Sequence, residues 1–199
     1  MVAGSNGSTR HDTPSTVSGA RHRHGGTLWL TGLPSAGKTT IALAVAELLR
    51  ELGRSVEVLD GDEIRRVLGA DLGYSRAERD ANVARIGYLA HLLARNGVLV
   101  IAAVVSPFTE ARRAVRTRHA AAGTPFLEIH VATPLAVCAS RDVKGLYARQ
   151  QSGQLTGLTG VDDAYELPES PELRLDTAGR TVHACVSDLC ALLRTRGLV

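Results

Sequence analysis

Eight residues constrain this chain more than any others: Gly32-Leu33-Pro34-Ser35-Ala36-Gly37-Lys38-Thr39. They fit Gly-x-x-x-x-Gly-Lys-Ser/Thr, the loop with which nucleoside triphosphatases and kinases hold phosphate. The motif requires a strand before it and a helix behind it. Thr27-Leu28-Trp29-Leu30-Thr31 reads as a short buried strand, and Ile41, Val45, Leu48, Leu49 and Leu52 recur at helical spacing. A phosphate chain carries several negative charges and needs many donors at close range. Gly32 and Gly37 let the backbone turn so that successive N–H groups point inward. The helix that opens at Lys38, Thr39 and Thr40 adds its positive dipole end. Lys38 is the cation for the β- and γ-phosphates of ATP, and the Thr39 hydroxyl is a ligand for Mg²⁺.

Further strands are expected at Ser55 to Leu59, Val98 to Val105, Phe126 to Val131 and Leu173 to Leu175. Helical stretches run from Ala77 to Asn96, Thr109 to Ala122, Pro134 to Ser140 and Val182 to Arg196. The near-continuous apolar run Val98 to Val105 suits a central parallel strand covered on both faces, and Ser106-Pro107 is expected to stop it. Strands alternating with helices imply right-handed βαβ units: an α/β fold of three layers around a mainly parallel five-stranded sheet. Ligands of such sheets sit at the carboxyl ends of the strands. Asp60, Asp62, Ser106 and the segment after Val131 should therefore face one crevice with Lys38.

Composition limits the alternatives. At 199 residues, 44% hydrophobic and 22% charged, one globular domain is expected over residues 27–199. Residues 1–26 are rich in Gly, Ser, Thr and His and read as a disordered tail, with His22 and His24 as solvated side chains. The tail's Arg10, Arg21 and Arg23 against Asp12 supply most of the net charge of +3, so the folded part is near neutral. No alternation of aromatic and basic residues suggests a nucleic-acid partner. No apolar run approaches a membrane span, and no signal-peptide stretch opens the chain. Cys138, Cys185 and Cys190 are odd in number and lack a Cys-x-x-Cys pair, which suits free thiols in a reducing compartment. A cytoplasmic location is expected.

The stretch 141–169 is polar and punctuated by glycine, and reads as a lid. A lid suits a kinase, because water competes with the acceptor for the γ-phosphoryl group. At this point the chain resembles the adenylylsulfate kinase family. The resemblance rests on Leu30-Thr31-Gly32-Leu33 entering the phosphate loop, and on Leu59-Asp60-Gly61-Asp62 with Ile64-Arg65. It rests also on Leu72-Gly73-Tyr74-Ser75 with Arg79 and Asn82, on Ser106-Pro107-Phe108, and on Arg141-Asp142 with Lys144-Gly145-Leu146-Tyr147 through Thr159-Gly160-Val161-Asp162-Asp163. These blocks run in order over residues 24–197.

The resemblance implies an ATP- and Mg²⁺-dependent kinase of the 3′-hydroxyl of adenosine 5′-phosphosulfate. Lys38 and Asp62 match the catalytic pair, with Asp62 near both metal and acceptor. Thr39 and Asp62 match the metal site, and Gly32, Leu33, Pro34, Ser35, Ala36, Gly37, Lys38, Thr39, Thr40 and Arg141 the ATP site. Arg65, Arg79 and Asn82 match residues that grip the phosphosulfate, a role suited to the planar guanidinium fork. Tyr74 takes a position expected to stack on adenine, and Lys144 lies where a lid cation follows the transferred charge. Some family members carry phosphoserine at the position of Ser106. Direct in-line transfer fits the phosphate loop better, so Ser106 is read as a substrate-contacting or structural serine. The family's usual Lys-Gly-Phe is Thr156-Gly157-Leu158 here, which leaves Leu158 to contact the base and implies altered affinity and substrate inhibition. Pro34-Ser35-Ala36 and Ala132 also depart from the common pattern. A homodimer and an ATP sulfurylase partner are further implications. Two rival readings are a related kinase of another small hydroxyl acceptor and a non-catalytic nucleotide-binding subunit of a sulfate-activating complex.

Overall fold

The computed structural model describes Met1 and residues 25–199. Most of the expected tail, with His22 and His24, lies outside the described residues. Five strands carry the frame: β1 (Gly26–Thr31), β2 (Val56–Asp60), β3 (Leu99–Ala103), β4 (Phe126–Val131) and β5 (Leu173–Leu175). They form one sheet in the order β2-β3-β1-β4-β5, and every pairing is parallel. The helices are α1 (Lys38–Glu51), α2 (Gly61–Leu68), α3 (Arg76–Ala94), α4 (Thr109–Ala121), α5 (Leu135–Arg141), α6 (Leu146–Gln151) and α7 (Val182–Thr195).

Alternation along the strands builds two cores. Leu28 and Leu30 of β1 join Ile101 of β3 and Ile129 of β4 against α1 and α7, where Val45, Leu49, Leu189 and Leu193 are buried. Trp29 points the other way, with Val100 and Ala102, onto Val83, Ile86 and Ala90 of α3 and Val115 of α4. β1 is the central strand. The chain leaves it toward β2 and β3 on one side and returns to β4 and β5 on the other. The strand order thus reverses at the carboxyl end of β1, where the phosphate loop begins.

Three local expectations need correction. β1 begins at Gly26, inside the segment assigned to the tail. β3 ends at Ala103 rather than Val105, because the chain turns over the end of β1 before it meets Pro107. The Thr31 hydroxyl donates to the Val105 carbonyl at 2.7 Å, and Ser106 takes a left-handed φ of 40°. The third concerns helices that periodicity did not disclose. Asp60 caps α2, its carboxylate accepting from the N–H groups of Asp62 and Glu63. α6 lies inside the lid, its first turn held by Asp142, which accepts from Tyr147 and Ala148 N–H. α2 buries none of its residues and α6 spans only six, so neither prints a long apolar stripe in the sequence.

Candidate active site

The phosphate loop closes on itself by local rules. At Gly32 an added Cβ would meet the Val131 carbonyl at 2.4 Å, so strand and loop can approach only without a side chain there. Gly37, at φ 100°, turns the chain into α1. The loop is pinned from below: Thr133 and Thr177 hydroxyls donate to the Ala36 carbonyl at 2.9 and 3.1 Å, and Arg141 donates to the Thr177 hydroxyl at 2.8 Å. From above, the Tyr147 hydroxyl of the lid donates to the Pro34 carbonyl at 3.0 Å.

Lys38 curls back into the loop. Its ammonium donates to the Gly32 and Leu33 carbonyls at 2.9 and 2.8 Å and is 8% exposed. Burial pulls its pKa down to about 7, since desolvation disfavours the charged form. Beside it the Thr39 hydroxyl donates to Asp60 Oδ2 at 2.7 Å. Asp60 therefore holds the Thr39 hydroxyl with one oxygen and caps α2 with the other. Asp62, two residues further, forms an ion pair with Lys144 of the lid. Sequence reasoning had placed Asp60 only in the crevice and had paired Thr39 with Asp62. The available signal was the strand-terminal Asp-Gly-Asp, in which either carboxylate could face the threonine.

The opposite wall comes from the start of α3 and the loop before it. Arg65 lies 4.4 Å from the centre of the Tyr74 ring, with Arg79 at 5.6 Å on the same ring, which is 69% exposed. Arg79 is fixed by the lid: it donates to the Thr159 hydroxyl at 2.9 Å and the Gly157 carbonyl at 2.6 Å, and pairs with Asp163 at 3.2 Å. Asn82 is buried, and its Oδ1 has no partner. Ser106 is 1% exposed; its hydroxyl accepts from the Trp29 indole N–H at 3.0 Å.

One cleft of about 400 Å³ joins these walls. Pro34 to Thr40, Asp62, Arg65, Tyr74, Arg79, Asn82, Ser106, Arg141 and Lys144 all contribute to its lining. Gly32 and Leu33 act through the carbonyls that hold Lys38. Leu158 is not part of this surface. It is 5% exposed and belongs to the apolar cluster that also contains Tyr147, because Asp162 folds the Gly157–Leu158 backbone inward by accepting both N–H groups. Thr177, Arg180 and Val182, at the carboxyl end of β5 and the start of α7, line the cleft without having been expected there.

The family model for adenylylsulphate kinase matches residues 24–176. The chain belongs to the adenylylsulphate kinase family. An adenylyl-sulfate kinase from a Synechococcus species is 46% identical over 175 residues, covering 88% of this chain and 97% of that protein. A probable adenylyl-sulfate kinase from Aeropyrum pernix is 48% identical over 84% of this chain and 91% of its own length. Among solved structures, the Mycobacterium tuberculosis APS kinase in complex with AMPPNP and APS superposes with a TM-score of 0.83. That pair is 43% identical, over 86% of this chain and 98% of the other. The family match covers the phosphate loop, the α2–α3 wall and the whole lid. No helix among the described residues is long and apolar enough to cross a membrane.

Proposed function

We propose that this chain transfers the γ-phosphoryl group of ATP to the 3′-hydroxyl of adenosine 5′-phosphosulfate, giving 3′-phosphoadenosine 5′-phosphosulfate for sulfate activation. The observation that carries the reading is the shared cleft. Lys38 and the phosphate loop face a pair of arginines and a buried, unpartnered Asn82 oxygen across it, with Asp62 also on its wall. An acceptor carrying sulfate, phosphate and hydroxyl groups supplies the partner that Asn82 Oδ1 lacks and anionic oxygens for the two arginines.

The loop N–H groups and Lys38 bind the β- and γ-phosphates. Lys38 exchanges two carbonyls for phosphate oxygens, which restores the charge that burial now disfavours. Arg65 and Arg79 present their free N–H groups to the phosphosulfate, Tyr74 offers its face to the adenine, and Asn82 Oδ1 accepts from the acceptor. Asp62 accepts from the 3′-hydroxyl and aims it at phosphorus; a full base is not needed for a loose transition state. Lys144, now paired with Asp62, moves to the transferred group as the acceptor arrives. The Thr39 hydroxyl and the Asp60 carboxylate are hard oxygen donors already 2.7 Å apart, and they fit Mg²⁺ better than the pair Thr39 and Asp62. When bound with ATP, Mg²⁺ neutralises phosphate charge.

The test is a coupled ADP-release assay across adenosine phosphosulfate, AMP and uncharged hydroxyl acceptors. The expected preference for adenosine phosphosulfate over AMP is about ten- to a hundredfold, the worth of charged hydrogen bonds to the sulfate. ADP release indifferent to the acceptor would refute the reading. A cytoplasmic homodimer that receives its substrate from ATP sulfurylase belongs to the same proposal. Light scattering with and without that enzyme tests the assembly.

A further inference from the structure

We propose that Arg112, outside the cleft, is a positioning residue for acceptor binding: it holds the turn after β3 and the returning end of the lid in one register. The proposal rests on the assignment of Arg79 to the acceptor.

Arg112 is a buried cation on α4, and its guanidinium reaches four partners. Nε donates to Glu128 of β4 at 2.7 Å and Nη1 to the Ser106 carbonyl at 2.8 Å. Nη2 donates to the Glu166 carbonyl at 2.8 Å and to the Thr109 hydroxyl at 3.2 Å. One planar group thus ties together the central sheet, the left-handed Ser106 turn and the strap that brings the lid back to the body. The strap is tied a second time, as Glu166 N–H donates to the Pro107 carbonyl at 2.8 Å and its carboxylate accepts from Thr109 N–H at 2.8 Å. The Tyr165 ring lies 5.9 Å from the Arg112 guanidinium, and its hydroxyl meets that of Thr31 at 3.0 Å.

Three residues before Glu166, Asp163 pairs with Arg79. Thr159, bridged to Asp163 through the backbone, accepts from Arg79 as well. Arg79 is held from one side by the Tyr74 carbonyl, at 2.8 Å, and from the other by this strap, of which Arg112 is the buried fixed point. The phosphate loop takes its own supports from Thr133, Thr177, Arg141 and Tyr147, none of which bonds to Arg112. Arg112 should thus govern the acceptor and leave the nucleotide untouched. Lysine keeps the charge opposite Glu128, which Arg116 also contacts at 3.3 Å, but cannot span the fork.

The test is initial-rate kinetics on Arg112→Lys, Arg79→Lys and the double variant. Arg112→Lys is expected to raise KM for adenosine phosphosulfate about tenfold while KM for ATP stays within about twofold. The losses in kcat/KM of the two single variants are expected to combine to less than their product, as for residues acting through one network. An equal rise in both KM values, or losses that multiply, would overturn the positioning role. If Arg112→Lys does not fold, Glu166→Ala, at a half-exposed site, carries the same expectation: a severalfold rise in acceptor KM alone. An unchanged acceptor KM there overturns the proposal. Arg79→Lys without effect on that KM overturns the acceptor assignment itself. An effect of Arg79→Lys without one from Arg112→Lys overturns only the positioning role.

Discussion

Ser106 shows how one residue's chemistry depends on what reaches it. Its hydroxyl is the acceptor for the buried Trp29 N–H, and its backbone takes a left-handed turn. Ser106→Ala is expected to leave the indole N–H unpaired and to cost about 1–3 kcal/mol of stability by denaturant titration, while turnover persists. Complete loss of turnover with an intact fold would instead assign the hydroxyl, or a phosphate on it, to the reaction. Lys38 and Thr39 were legible at this scale because the phosphate-loop spacing names them, whereas Arg65 and Arg79 were expected only through the family resemblance. Asp60 was not. Its two oxygens are divided between the cap of α2 and the Thr39 hydroxyl, contacts that the Asp-Gly-Asp sequence leaves open to either aspartate. Ser35 is similar: its φ of 59° is a conformation that costs a non-glycine residue about 1 kcal/mol, and no sequence pattern announces it.

Among the elements, the lid departs furthest from its expectation. A polar segment punctuated by glycine read only as a lid, yet it contains α6 and buries Tyr147, Leu158 and Thr159. Tyr147 ties the lid to the phosphate loop, since its hydroxyl donates to the Pro34 carbonyl. Tyr147→Phe keeps the apolar packing and removes that bond, worth about 1 kcal/mol. The expected outcome is a rise of about fivefold in KM for ATP, read by initial rates, with acceptor KM little changed. Leu158 illustrates why the lid was hard to read. An apolar residue between glycines serves equally as a base platform or as a core plug, and the Asp162 carboxylate, by gathering two N–H groups, turns it inward. By contrast α3 was nearly complete in the sequence, and its start is set at Arg76 by the capping box of Ser75 and Glu78.

At the scale of the whole molecule, buried histidines set the response to acid. Burial, with Arg174 and Arg112 nearby, lowers the pKa of His130 from 6.5 to about 4, and burial lowers His91 and His119 as well. Below pH 6.5 the unfolded chain takes up protons at these imidazoles before the folded one does. Stability therefore falls as pH drops from 6.5, and for His130 the loss levels off near pH 4, at up to about 3 kcal/mol. Melting temperatures measured from pH 7 to 4 are expected to decline accordingly, and His130→Gln is expected to flatten the curve. The sequence alone determined the family, the phosphate loop and the succession of the five strands, because each is written in local spacing: a loop motif, a period of hydrophobicity, a charged block. Tertiary structure alone decided which aspartate serves Thr39, that Leu158 is core, and that Arg112 joins sheet, turn and lid. Those outcomes depend on contacts between residues tens of positions apart, whose partners no local pattern specifies.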